Sequence, residues 1–526
     1  MPILFTHQLG YQFADGHQIL HNINCSMTAS RVALVGKNGC GKSLLVALLT
    51  EQKTPTQGYV RLNGKVVTYS QLPSDLLRTD ITVAEYLEVS EVLNALKRIE
   101  NGECSTQLFD LIGEQWQLKS ELLTMLSEMG LPQDLDLVCN KLSGGQLAKL
   151  QLWKLFQSAA DLLVLDEPSN HLDFDAKTWL IEQMQRFSGH ILLVSHDRML
   201  LREMEQIWEL SSLGLTQFGG NYDFYAEQKA QAVSALERQM ASVQKQQKKL
   251  EVQAQKNREK AEQRASQGNR MRKDGSQPKI LLDGMKNSAE QSVSNRLKNE
   301  SGRSEMLAKT SQSLSNRYEQ VKAQRLYIDS CKQRSADAFF LDQAVLPYVA
   351  NEALTFAISS QCRVHVMGPN GSGKSTLMQV LQGKVTLLSG ELRVNTEMHY
   401  LDQNFSLLDN KISLLDTMRH FCEGILESDA RTLLAGVGFR KDSVFRQVSN
   451  LSGGEKMKLS MLVVTHQPEQ PFLLLDEPDN HLDLDSKHLL AEALNSYQGG
   501  FALISHDADF VQECGMTSQL VLQAAG

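Results

Sequence analysis

The sequence predicts two α/β domains of one design, joined by a long antiparallel helical hairpin. Three observations predict it. A set of five short motifs occurs twice, in the same order and with near-equal spacing. In both copies the motifs border short apolar runs that read as buried parallel strands, with helical stretches between them. Between the copies, residues from about 226 to 267 carry no Pro or Gly and are rich in Gln, Lys, Glu and Ala, the composition of a long exposed helix.

The first copy reads Gly36-Lys37-Asn38-Gly39-Cys40-Gly41-Lys42-Ser43, Gln71, Leu142-Ser143-Gly144-Gly145-Gln146, Asp166-Glu167 and His196. The second reads Gly368-Pro369-Asn370-Gly371-Ser372-Gly373-Lys374-Ser375-Thr376, Gln403, Leu451-Ser452-Gly453-Gly454-Glu455, Asp476-Glu477 and His506. The step from the first loop glycine to the glutamine is 35 residues in each copy, and from the aspartate to the histidine 30. One glycine-rich loop ending in Lys-Ser is a moderately specific signal; five elements repeated in register leave little room for accident.

Each glycine-rich loop follows an apolar strand (Val32–Val35, Val364–Met367) and opens an apolar helix. In that context the glycines let backbone N–H groups turn inward around phosphates, and the helix N-terminus adds partial positive charge. Lys42 and Lys374 are placed for the β- and γ-phosphates of a nucleotide, Ser43 and Ser375 for Mg²⁺. Asp166 and Asp476 end the runs Leu162–Leu165 and Phe472–Leu475, at the strand ends where open α/β sheets bind ligands. They are candidates to hold Mg²⁺ through water. Glu167 and Glu477 follow, placed to orient or deprotonate an attacking water. His196 and His506 follow further apolar strands and are candidates to hydrogen-bond the γ-phosphate. Ser143-Gly144-Gly145 and Ser452-Gly453-Gly454 open predicted helices and present a hydroxyl and bare N–H groups to phosphate.

After the glutamates come Pro168-Ser169-Asn170-His171-Leu172-Asp173 and Pro478-Asp479-Asn480-His481-Leu482-Asp483. These stretches, with the twin motif sets, resemble the ABC-F family of ATP-binding cassette proteins over essentially the whole chain. Both copies depart from the family's P-T-N-H-L-D at one position, where Ser169 and Asp479 replace threonine; the aspartate is expected to add negative charge near the second site. The resemblance implies two P-loop ABC ATPase domains, ATP and Mg²⁺ as cofactors, and hydrolysis of ATP to ADP and phosphate. It implies composite sites: Lys42, Ser43, Gln71, Asp166, Glu167 and His196 with Ser452 and Gly454, and Lys374, Ser375, Gln403, Asp476, Glu477 and His506 with Ser143 and Gly145. Gln71 and Gln403 join the serine and aspartate around the metal. An aromatic residue about 25 positions before the loop stacks on adenine in this superfamily. Tyr11 fits in the first half; the same offset in the second gives Gln343, with Phe339, Phe340 and Tyr348 nearby.

Domain limits are expected at 1–225, 226–334 and 335–526. The first domain is longer: Gln71 to Ser143 spans 72 residues against 49 from Gln403 to Ser452. The surplus predicts a short helical insertion at about 80–130, read as helices at about Val83–Arg98 and Gln107–Met129. In the linker, Gly268-Asn269 is expected to end the first helix, with a tip at about 268–280. A second helical stretch from about Ile280 to Arg334 is expected to break near Ser301-Gly302.

Charge is unevenly spread. The chain carries −8, yet residues 226–334 hold 23 Lys and Arg against 12 Asp and Glu. A basic element on an acidic protein points to a polyanion partner. The resemblance implies that this partner is the ribosome, its RNA and P-site tRNA met by a tip bearing Arg270, Met271, Arg272 and Lys273. Regulation of translation, rescue of stalled ribosomes and protection from antibiotics are the implied tasks. A DNA-associated ATPase uses the same basic linker, and a transporter's ATPase subunit leaves it unexplained. No run of 18 apolar residues predicts a membrane span. Met1 to Gly16 show no secretory signal, and the eight scattered cysteines show no metal-binding spacing. A cytoplasmic monomer that pairs its own two cassettes is the expectation.

Overall fold

The computed structural model describes residues 2–69, 80–170, 172–273, 294, 298–299, 301–314, 337–349, 352–401, 405, 407–422, 424–467, 470–480 and 482–523, side chains excepted at 264–265 and 267–273. Gln71, Gln403, His171 and His481 lie outside the described residues. The chain divides into two compact units, Met1–Tyr222 with Gln324–Gly526, and Asp223–Ala323.

The larger unit holds two domains with the same plan. In the first, five parallel strands lie in the order Val66–Tyr69, Leu162–Asp166, His190–Val194, Arg31–Gly36 and Gln206–Ser211, with Gly214–Gly219 added antiparallel at the edge. In the second, Met398–Leu401, Phe472–Asp476, Phe501–Ile504, Arg363–Met367 and Ser518–Val521 repeat the parallel order. The central strands are apolar at nearly every position because both faces of the sheet are covered; Leu162–Leu165 and Phe472–Leu475 are fully buried. A three-stranded antiparallel sheet accompanies each: Gln18–Met27, Leu4–Gln12 and Gln57–Leu62, and Leu354–Ser359, Asp337–Val345 and Ser389–Val394. The helices Lys42–Leu49 and Lys374–Leu381 pack their leucines into the core between the two sheets of each domain.

The insertion of the first domain is helical, but in four pieces rather than two: Val83–Tyr86, Ser90–Glu100, Thr106–Ile112 and Leu118–Glu128. Glu88 and Gly113 break the expected helices by taking positive φ, 62° and 53°. Its leucines form their own core with Leu147 and Leu150 of the helix behind Ser143. Among the described residues, the α-helices of the second domain in the equivalent interval are Leu414–Phe421 and Glu427–Gly436.

The smaller unit corrects three expectations. Its first helix runs from Tyr222 to Lys273, 52 residues, so Gly268-Asn269 does not stop it. A glycine within a helix costs only about 1 kcal/mol, and no proline follows within the described residues to enforce the break. At 1.5 Å per residue the helix is roughly 78 Å long. Arg270, Met271, Arg272 and Lys273 therefore belong to helical backbone, not to a loop; residues 274–280 lie outside the described residues. Residues 301–314 are also helical, Ser301 and Gly302 included. The side-chain amide of Gln247 donates to the carbonyl of Leu307 at 3.3 Å, which seats this stretch against the first helix.

Candidate active sites

The parallel order brings the ends of Arg31–Gly36, Leu162–Asp166 and His190–Val194 to one edge, and with them the loop lysine, Asp166-Glu167 and His196. The helices after the loops begin at Gly41 and Gly373, both left-handed (φ 98° and 89°), with no side chain capping them. Neither glycine supplies a side chain to compete with a ligand for the helix N–H groups. A Cβ on Gly36 would lie 2.4 Å from the Leu210 carbonyl oxygen, and one on Gly368 2.5 Å from that of Leu522. Close strand packing requires glycine at both positions. Lys42 Nζ donates to Gly36 O at 2.7 Å and lies 2.8 Å from His196 Nε2. Lys374 Nζ donates to Gly368 O at 2.7 Å and Pro369 O at 2.9 Å. The Ser43 and Ser375 hydroxyl positions are exposed.

Glu167 and Glu477 both take left-handed backbone, φ 48° and 49°. For a residue with a Cβ this is strained, and such strain concentrates at functional positions. Each is held by its N–H, which donates to the neighbouring strand: Glu167 to Val194 O at 2.8 Å, Glu477 to Ile504 O at 2.9 Å. The turn aims each carboxylate at the histidine of the same motif set, His196 Nε2 at 3.8 Å from Glu167 and His506 Nε2 at 3.7 Å from Glu477. Burial pushes the Glu167 carboxyl up to about 7, partly offset by Lys42 and Lys487; burial with Asp476 and Asp479 raises Glu477. Burial and the loop lysines hold the imidazoles down, His196 at about 3 and His506 at about 4, so both are neutral at pH 7.

The two domains face each other through these elements. The Asn38 N–H of the first loop donates to Asp483 Oδ2 at 2.9 Å, and the Asn370 N–H of the second donates to Asp173 Oδ2 at 3.5 Å. Lys37 lies 3.8 Å from Asp485. Arg202 makes a fork with Asp509 (2.7 and 2.8 Å), and Arg198 pairs with Glu513. Asp173 and Asp483 also cap the helices that follow them, accepting from Ala176 N and Ser486 N. Ser143 and Ser452 cap their own helices in reciprocal boxes with Gln146 and Glu455, at exposed positions. The S-x-x-Q and S-x-x-E spacing is the signal for those boxes.

Two expectations change here. Gln343 is not the partner of Tyr11. Gln8 and Gln343 are equivalent: both take left-handed backbone (φ 48° and 46°), both crowd a left-handed glycine on the neighbouring strand, and both donate their N–H to a side chain, Asn24 at 2.8 Å and Thr355 at 2.9 Å. The fixed offset from the loop failed because the strands between differ in length, Gln18–Met27 against Leu354–Ser359. Counted from the two glutamines, Tyr348 matches Phe13. Tyr348 is 90% exposed and Phe13 40%, whereas Tyr11 is half-buried against the core with Phe13 edge-on at 5.4 Å. Asp479, expected to add charge beside the second nucleotide, is buried; Lys487 lies 4.0 Å away, and burial raises its carboxyl.

Sequence reasoning missed other residues. Lys177 and Lys487, one turn into the helices behind Asp173 and Asp483, are buried and ion-paired to Asp197 (2.7 Å) and Asp507 (2.9 Å). Only their matched position, ten residues after each glutamate, signals them. Tyr400 donates to Asp476 Oδ2 at 2.9 Å; its register counterpart beside Asp166 is Thr68.

The donors fit ATP with Mg²⁺. Inward N–H groups and a lysine suit phosphate, and hydroxyl with carboxylate oxygens suits a hard cation. His196 Nδ1 and His506 Nε2 are buried without a hydrogen-bond partner among the described residues. No cluster of three His, Cys, Asp or Glu forms a metal cage among the described residues, so the ion would depend on phosphate oxygens as well as Ser43, Asp166, Ser375 and Asp476.

The family model described as ABC transporter matches residues 20–170 and 352–480, and a second model of that description matches 208–277. The chain is 30% identical to the putative ATP-binding protein YdiF of Bacillus subtilis, covering 97% of this chain and 78% of that protein. It is 30% identical to ABC transporter F family member 5 of Arabidopsis thaliana, covering 92% and 70%. The chain belongs to the ABC-F family. The ATP-binding protein Uup of Escherichia coli is similar at 28% identity over 97% of this chain and 79% of its own length. Among solved structures, the archaeal ribosome recycling factor aABCE1, in complex with stalk protein aP1, superposes with a TM-score of 0.52 at 16% identity, covering 96% of this chain and 86% of that one. That likeness shows the two-cassette fold. As an ABC-F protein the chain is an ATP hydrolase, and among its described residues no helix is long and apolar enough to cross a membrane.

Proposed function

We propose that this ABC-F ATPase is a cytoplasmic monomer that acts on ribosomes, where ATP closes its own two cassettes and hydrolysis with Mg²⁺ releases them. Domain limits at 1–225, 226–334 and 335–526 belong to the same proposal. Bound ATP would supply the electrophilic γ-phosphate. Lys42 and Lys374 neutralise phosphate charge, Ser43, Gln71 and Asp166 with Ser375, Gln403 and Asp476 hold the ion, and Glu167 and Glu477 orient the water. The neutral histidines donate to the γ-phosphate. Ser452 and Gly454 complete site one; Ser143 and Gly145 complete site two. Phe13 and Tyr348 are the better-exposed adenine platforms, with Tyr11 behind Phe13.

The ribosomal reading rests on the linker, a basic segment of 23 Lys and Arg against 12 Asp and Glu that contains most of a 52-residue helix, Tyr222–Lys273. Such a helix presents a row of cations suited to RNA phosphates. Translation control, rescue of stalled ribosomes and antibiotic protection are the tasks it suits. A structure of archaeal ABCE1 of this fold is described as ribosome-bound with Pelota; its identity to this chain is 14%, so the linker carries the reading. Cosedimentation with ribosomes, set against duplex and branched DNA, tests it. Retention by ribosomes in ATP supports it, and retention by DNA alone replaces it with the DNA-associated reading.

A further inference from the structure

Between Glu167 and Glu477 lies a small interior pocket lined by residues of both cassettes, among them Lys177, His196, Lys487 and His506. Lys177 occupies it in an unusual way. Its ammonium pairs at 2.7 Å with Asp197, the residue after His196, and donates at 3.3 Å to the carbonyl oxygen of His506 in the other cassette. One buried cation thus touches the loops that carry His196 and His506. Lys487, its counterpart, pairs with Asp507 at 2.9 Å and Asp479 at 4.0 Å in its own cassette, with Asp197 of the first cassette a weaker influence. Asp479 stands beside Lys487 where the first cassette has Ser169. The second contact of Lys177 is instead the His506 carbonyl of the other cassette.

A buried ion pair is a poor way to gain stability, since apolar residues of the same volume serve as well or better. Three carboxylates and two ammonium groups, all with side chains under a tenth exposed, therefore point to geometry rather than adhesion. We propose that Lys177 is a positioning residue that couples the two ATP sites by tying the His196 loop to the His506 loop. Neither histidine then reaches its working position alone. Closure at one site advances closure at the other, and turnover responds cooperatively to ATP. This concerns ATP turnover itself and does not depend on the ribosomal reading.

The test compares ATPase activity of the full chain across ATP concentrations for the wild type, Lys177→Met with Asp197→Asn, and Lys177→Arg. The asparagine keeps the cap on Met199 N, which Asp197 now makes at 3.0 Å, and leaves no unpaired carboxylate buried, so the double variant folds. Thermal unfolding without nucleotide checks this. The expected result is a Hill coefficient above one in the wild type and at one in the double variant. Its kcat should fall on the order of tenfold or more, with half-saturation moved far less. Lys177→Arg should retain cooperativity, because the guanidinium spans the same two acceptors. A wild type with no cooperativity, or a folded double variant that keeps it, overturns the coupling. A double variant melting well below wild type with unchanged cooperativity assigns Lys177 to stability alone and also overturns it.

Discussion

Gln8 and Gln343 occupy the same left-handed bend in the two cassettes, φ 48° and 46°. The equivalence moves the second cassette's exposed aromatic to Tyr348, five residues on, as Phe13 is five residues after Gln8. Stacking of a base on an aromatic ring contributes about 1–3 kcal/mol. Tyr348→Ala should therefore weaken ADP binding at the second site by roughly fivefold to a hundredfold, read by calorimetric titration, while Gln343→Ala leaves it unchanged. Equal effects of the two substitutions would contradict the register.

Asp483 has two jobs with separable outcomes. It caps the helix Leu484–Ser496 through Oδ1 and accepts from Asn38 N–H of the other cassette through Oδ2. Asp483→Ala should cost about 1 kcal/mol of stability from the missing cap and also lower ATPase activity. Asp483→Asn should restore the melting temperature but not the activity, because its amide nitrogen faces Asn38 without accepting. Full activity in the asparagine variant would show that the hydrogen bond across the cassettes is idle.

The fork between Arg202 and Asp509 predicts a charge-swap result. Arg202→Glu sets like charges face to face and should lower ATPase activity by about tenfold or more; Asp509→Arg added to it should recover most of the loss. Steady-state rates of the single and double variants measure this. A double variant no better than the single one would mean that the pair does not form in the working protein.

The strands, loops and carboxylate pairs were legible because their chemistry is local. Leu162–Asp166 is a buried run ending in an acid, and Gly36–Ser43 is a strand–loop–helix turn whose first glycine the packing requires. What stayed hidden depended on geometry between distant residues. The offset that matched Tyr11 to Gln343 ignored the shorter strand Leu354–Ser359, and only the shared bend at the two glutamines exposes the slip. Lys177 and Lys487 belong to no motif, and only their burial and their aspartates single them out. Gly268 and Gly302 looked like breakers, but long helices absorb single glycines at small cost. Asp479 read as a loose charge because its neutralising lysine lies eight residues further along.

The linker predicts a salt signature. Arg270, Arg272 and Lys273 lie at the far end of the 52-residue helix. Their replacement by Ala should leave basal ATPase activity intact, weaken ribosome binding, and reduce the slope of log affinity against log salt by about 0.7–0.9 for each phosphate no longer neutralised. Cosedimentation across a salt series measures it. An unchanged slope would place the RNA-binding cations elsewhere on the linker. Met271→Ala should matter only if a base or a tRNA end is touched, and the same assay reads it.

The most direct test of the account is the double variant Glu167→Gln, Glu477→Gln, assayed for ATP hydrolysis and for retention on ribosomes in the presence of ATP. Loss of both water-orienting groups should lower hydrolysis on the order of 10²-fold or more. The protein should then stay closed, cosediment with ribosomes only when ATP is present, and stop growth when expressed. Wild-type hydrolysis would contradict the role given to the two glutamates. Abolished hydrolysis with no ATP-dependent retention on ribosomes would leave the ATPase standing and contradict its placement on the ribosome.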